Sequence, residues 1–246
     1  MTDPRKRNNA ALRFSKTGDI WAFFRYNAAN IFSGRAFYSL ILSSLVFLAV
    51  VAINLLRREA ALTGQNIYDF LLIPALLLVF YPAAFALQSD KDAGMIEVLF
   101  GIPDHRYKIW LARYVTLYII TAALLFLLAL LCRVGLADFP LGMMVLQLMF
   151  PVVLLGSLAF FLAGLTGSGT ATGILMIVVV LAFWLFRGQL GDTPWYLFHN
   201  PFGGPAQANP QVWAATTLSN RLFFLMASVF LTMMALLRLQ KREKLI

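Results

Sequence analysis

The stretch Ser89–Arg113, SDKDAGMIEVLFGIPDHRYKIWLAR, is a charged island between two long apolar runs. Asp92 is placed to cap a short helix over Ala93–Phe100, which carries Met95, Ile96 and Leu99 on one side and turns Glu97 away from them. Gly101 and Pro103 stop that helix. A second start follows at Asp104, from which His105, Arg106, Tyr107 and Lys108 lead into an apolar segment of membrane length. The pattern predicts a short helix lying across the mouth of two membrane helices.

Of the 246 residues, 61% are hydrophobic, and the mean hydropathy is +0.78. A soluble domain holds roughly 45–50% apolar residues. The apolar runs are continuous and about 20 residues long, whereas barrel strands would alternate polar and apolar positions. The expected fold class is therefore an all-α integral membrane protein with six transmembrane helices and an interfacial helix ahead of them.

The net charge of +9 is arranged for orientation in a membrane rather than for nucleic acid. Seven basic residues precede the first span, four lie between Lys91 and Arg113, and four follow the last span. With both termini inside, 15 basic residues face the cytoplasm and 5 face out. The positive-inside rule then places the amino end, the Ser89–Arg113 stretch and the tail in the cytoplasm.

Residues 1–18 read as a basic tail near anionic headgroups. Over residues 19–35, Ile20, Phe23, Phe24 and Ile31 gather on one side of a helix with Arg25, Tyr26 and Asn30 mostly opposite, although Asn27 interrupts the apolar face. This is either an interfacial helix or a cytoplasmic extension of the first span. The spans are expected at Ala36–Leu56, Ile67–Leu87, Tyr114–Cys132, Leu141–Leu165, Thr170–Phe186 and about Leu222–Leu237. Pro74 and Pro82 remove backbone donors from the second. No cleaved signal peptide is expected, since the first apolar run begins only near Ala36 and is long enough to remain as a span.

The glycines from Gly164 to Gly173 come without a lysine, so they cannot act as a phosphate-binding P-loop, and the chain has no ATP site of its own. Gly164 with Ser168, and Gly169 with Gly173, form small-x-x-x-small patterns that permit close helix approach. The contact is either within a tight hairpin of spans four and five or between two copies of the chain. Residues 187–218 mix four prolines with Trp195, Tyr196, Phe198, Phe202 and Trp213, aromatics suited to a membrane interface. His199 in this segment reads as a hydrogen-bonded structural group. Cys132 stands alone and His105 and His199 are far apart, which leaves no metal-ligand grouping.

The spacing Asp92-x-Gly94-x-x-Glu97-x-Leu99, followed by Pro103, Arg106 and Arg113, resembles the cytoplasmic coupling segment of ABC-2 type (type V) exporter permeases. The resemblance extends over nearly the whole chain: an elbow-like helix at 19–35, a six-helix domain at 36–246 and an aromatic outer loop before the last span. It implies a permease subunit that works as a homodimer or beside a related permease, in the cytoplasmic (inner) membrane. A separate ABC-type ATPase would hold the ATP and magnesium and would dock on Asp92, Gly94, Met95, Glu97, Leu99, Pro103 and Arg106. It further implies that the chain is not itself an enzyme. Two other classes stand beside this one. A membrane-embedded enzyme would need ionisable residues inside the spans, yet Asp69, Arg113, Arg133, Arg221 and Arg238 read as span ends. A non-transporting scaffold would keep the fold without moving a substrate.

Overall fold

Two proline-containing helices and the small residues between them set the centre of the bundle. The structure, a computed structural model, describes residues 36–57, 62–92, 106–191, 193–204 and 209–240. The basic tail at 1–18, the elbow helix at 19–35 and most of the charged stretch, 93–105, lie outside the described residues. Those described form only helices and their connections: α1 (Ala36–Arg57), α2 (Gly64–Asp92), α3 (Arg106–Gly135), α4 (Leu141–Thr166), α5 (Gly169–Leu185), the single turn α6 (Arg187–Leu190) and α7 (Pro210–Gln240).

Among the described residues, four helices are long and apolar enough to cross a membrane: Gly64–Ser89, Trp110–Gly135, Leu141–Thr166 and Pro210–Leu239. Two apolar helices are shorter, Tyr38–Ile53 and Gly169–Leu185. At about 1.5 Å per residue the long ones exceed a hydrocarbon core of about 30 Å. This is the make-up of a multi-pass membrane protein.

The helix ends follow local chemistry. Asn66 reaches back with its side-chain oxygen to the Thr63 amide at 3.2 Å and the Thr63 hydroxyl at 2.6 Å, half of a capping box opening α2. α4 ends at Gly167, whose φ of 68° is left-handed and whose amide bonds Ala163; glycine takes this conformation without Cβ strain. Ser168 then caps α5, its hydroxyl accepting from the Ala171 amide at 3.4 Å. Asn209 accepts from the Gln211 amide at 3.0 Å ahead of Pro210 and so starts α7. The last span thus begins well before the expected Leu222, and 210–218, expected as part of an outer loop, is helical.

α4 is the hub, packing against α2, α3, α5 and α7, while α1 packs on α2. Its buried stripe of Met144, Leu148, Val152, Leu155, Ala159 and Ala163 repeats at three and four residues. Ile67, Leu71, Ala75, Val79 and Ala83 face it from α2. The outward residues of α5 and α7, such as Ile177, Val178, Leu225 and Met226, are apolar and exposed, as lipid-facing positions require.

Contacts at both ends show that successive long helices alternate in direction. At one end Gln88 of α2 accepts from the Gly169 amide at 2.7 Å, and Leu87, Trp110, Tyr114, Phe160, Ala163 and Ala235 cluster. At the other, Tyr68, Gln147 and Arg221 meet. α1 is tied to α2 through Ser43, which donates to the Pro74 carbonyl at 3.0 Å.

Candidate functional site

The residues expected to couple to a partner stand at the first of these ends. Asp92 is the last residue of α2 and is exposed, and Arg106 is the first residue of α3. Gly94, Met95, Glu97, Leu99 and Pro103 lie outside the described residues. The small residues nearby divide in their surroundings. A Cβ added to Gly169 would run into the Phe85 ring and come within 2.9 Å of Gln88 Oε1, so the α5 backbone there packs directly on side chains of α2. At Gly173 the nearest atom would be Phe80 Cζ at 3.8 Å, and at Gly164 nothing stands within 4 Å. Ser168 serves as the cap of α5.

The opposite end holds a polar cluster that the span assignments concealed. Arg221 was expected at a span end; it lies inside α7, because that helix starts at Pro210, and it is buried. Its Nε donates to Gln147 Oε1 at 2.7 Å and its Nη1 to Asn220 Oδ1 at 2.9 Å. Its Nη2 donates to the Tyr68 hydroxyl at 3.2 Å and to the His199 carbonyl at 3.3 Å. The guanidinium also faces the Phe150 and Phe224 rings, 5.6 and 5.9 Å from their centroids. A buried cation carries a desolvation penalty of several kcal/mol or so unless hydrogen bonds and aromatic faces replace the water it lost. Here every acceptor is neutral, so the charge is solvated by the protein without being neutralised.

The segment 193–204 is built onto this cluster. Asn220 Nδ2 donates to the carbonyls of Pro194 at 2.7 Å and Tyr196 at 3.0 Å. Asn200 Nδ2 donates to the Gln65 carbonyl at 3.0 Å and to Asp69 Oδ1 at 2.9 Å. His199 places Nε2 2.8 Å from the Thr217 hydroxyl and its ring 4.6 Å from that of Trp213. Burial, reinforced by the Arg221 charge, pushes the His199 imidazole down to about 4 and keeps it neutral at physiological pH. Asp69 bonds Asn200 and all three Arg221 guanidinium nitrogens donate within the cluster, so these contacts fasten and orient.

The sequence marks Arg221 only as a span-end charge, and it does not single out Tyr68 or Gln147 or show that they meet Arg221 and Asn220. The available signal was polarity interrupting helices: Gln147 within an apolar run, and Asn220-Arg221 beyond the Asn209-Pro210 helix start. Among the described residues no group of three or more His, Cys, Asp or Glu could hold a metal ion. No family model matches the chain, and neither a curated protein nor a solved structure matches it.

Proposed function

We propose that the chain is the transmembrane permease subunit of an ATP-binding cassette exporter, moving its substrate across or out of the cytoplasmic membrane. In this reading α1, α2, α3, α4, α5 and α7 are six spans, preceded by an elbow helix and working as a homodimer or with a related permease. A separate ATPase chain binds ATP and magnesium and acts through Ser89–Arg113. The observation that carries the reading is the ordering of ends. α2 finishes at Asp92 and α3 starts at Arg106 at the end of the bundle where the α4–α5 turn also lies. An ATPase docked where α2 ends and α3 begins would push on both helices as a rigid body. Counting Arg221 as a residue of α7, not of a connection, also removes a cation from the outer side and sharpens the charge asymmetry.

The deciding experiment is co-purification of the tagged chain with an ATPase, followed by hydrolysis assays with and without that partner. Hydrolysis that appears only in the complex and rises with substrate supports the permease. Hydrolysis by the lone chain, surviving removal of contaminating ATPases, overturns it, and a complex whose hydrolysis no substrate stimulates favours a scaffold.

A further inference from the structure

Over 193–204 the local backbone bonds are few, the short ones being Thr193 N to Leu190 O at 2.8 Å and Phe202 N to Asn200 Oδ1 at 2.9 Å. From Thr193 to Gly204 the chain forms turns, closed by Tyr196 N to Thr193 O at 3.2 Å, His199 N to Tyr196 O at 3.4 Å and Gly203 N to Asn200 O at 3.3 Å. The three turn bonds between those ends are long, and a segment whose middle is held by them alone would open readily. What holds it comes from the helices. Three carbonyls along it, those of Pro194, Tyr196 and His199, accept from the adjacent side chains Asn220 and Arg221 of α7. A fourth tie runs outward, Asn200 to Gln65 and Asp69 of α2. Leu197, completely buried, and Phe202, whose ring lies 6.0 Å from that of Tyr68, pin the segment from below.

We infer that Asn220 and Arg221 form a clamp that holds 193–204 as a strap across the bundle end and joins α2, α4 and α7 there into one moving body. Arg221 suits this role because a guanidinium donates in a planar fork. One group thereby reaches Tyr68 on α2, Gln147 on α4, its neighbour Asn220 on α7 and the strap itself. Any motion that parts these helices at this end must first withdraw the guanidinium and strand it among the Phe150 and Phe224 rings. The strap is therefore a conformational lock, and it does not depend on what the chain carries or on the permease reading.

Hydrogen exchange followed by mass spectrometry on the full chain in lipid nanodiscs tests the clamp. In the wild type, 193–204 should exchange slowly, like its supporting helices. Arg221→Met, which removes the donors but keeps much of the volume, should speed exchange of 193–204 by about tenfold or more with 141–166 unchanged. Arg221→Lys keeps the charge but donates from a single atom, so it too should lose protection; wild-type protection in Arg221→Lys would overturn the guanidinium fork. Asn220→Asp gives Arg221 a carboxylate, which retains the bundle, yet removes both donors to the Pro194 and Tyr196 carbonyls. It should loosen the first half of the strap alone. Should Arg221→Met loosen the whole bundle, Asn220→Asp decides. Exchange within about twofold of wild type over 193–198 in Asn220→Asp means that the segment holds itself, and the clamp is refuted.

Discussion

Tyr114 donates its hydroxyl to the carbonyl oxygen of Gly156 at 2.9 Å, a side chain of α3 bonded to the backbone of α4 inside an apolar span. The bond is possible because Gly156 lets α3 and α2 approach α4 together. An added Cβ there would lie 2.8 Å from Tyr118 Oη, 2.9 Å from Tyr118 Cε1 and 3.1 Å from Val79 Cγ2. Alanine favours a helix over glycine by about 1 kcal/mol, but overpacking against two helices at once opposes this by about 1–3 kcal/mol. Gly156→Ala should therefore lower the unfolding temperature in detergent. An unchanged or raised value would mean that Tyr118 swings aside freely.

Stability should fall on mild acidification in a manner traceable to His199. Its folded value of about 4 lies below the ordinary 6.5, so the unfolded chain binds the proton more readily. The contribution is complete above pH 6.5 and is lost as pH falls toward 4. Between pH 7.5 and 4.5 the wild type should lose more thermal stability than His199→Gln, which keeps a hydrogen-bonding group for Thr217. Parallel curves for the two proteins would contradict a buried, neutral imidazole.

Sidedness follows from the charge asymmetry. A cysteine at Asn209, an exposed position just ahead of α7, should react with an impermeant reagent added outside intact cells, and a reporter after Ile246 should stay inside. Cys132 is buried and contributes little background. Labelling at Asn209 from the cytoplasmic side alone would invert the topology.

The proposed coupling to an ATPase is tested at Glu97. A rim-exposed ion pair is worth at most about 1 kcal/mol, whereas a desolvated charge at the centre of a contact costs several kcal/mol or so when its partner is lost. Glu97→Lys should abolish ATPase co-purification and stimulated hydrolysis while leaving the bundle folded. Glu59→Lys, in the connection after α1, should do neither. Full assembly and activity in Glu97→Lys would make Glu97 a solvated charge.

Hydropathy located α1 and α4 almost to the residue because their apolar runs stop abruptly at Arg57 and at Gly167. It misplaced α7 because Gln211, Thr216, Thr217, Ser219 and Asn220 dilute the apolar signal, although Asn209-Pro210 is a helix-start pattern. Arg221 was legible as a charge but not as a buried one. Its acceptors Tyr68, Gln147 and the His199 carbonyl lie on other elements, and no local spacing links them. The all-helical, multi-pass make-up was thus readable from periodicity and run length, while the cluster that fastens one end of the bundle depends on tertiary contact.

The same cluster sets a condition on biogenesis. Among the described helices α7 is synthesised after α2 and α4, and it carries the guanidinium that engages Tyr68 and Gln147. Until it arrives, Gln147 faces hydrocarbon on an inserted helix with its amide oxygen unsatisfied, and unpaired polar groups in lipid are strongly disfavoured. A nascent chain lacking α7 is a substrate for membrane chaperones and quality-control proteases, and truncation before Pro210 should shorten cellular lifetime even though five of the hydrophobic helices are already made.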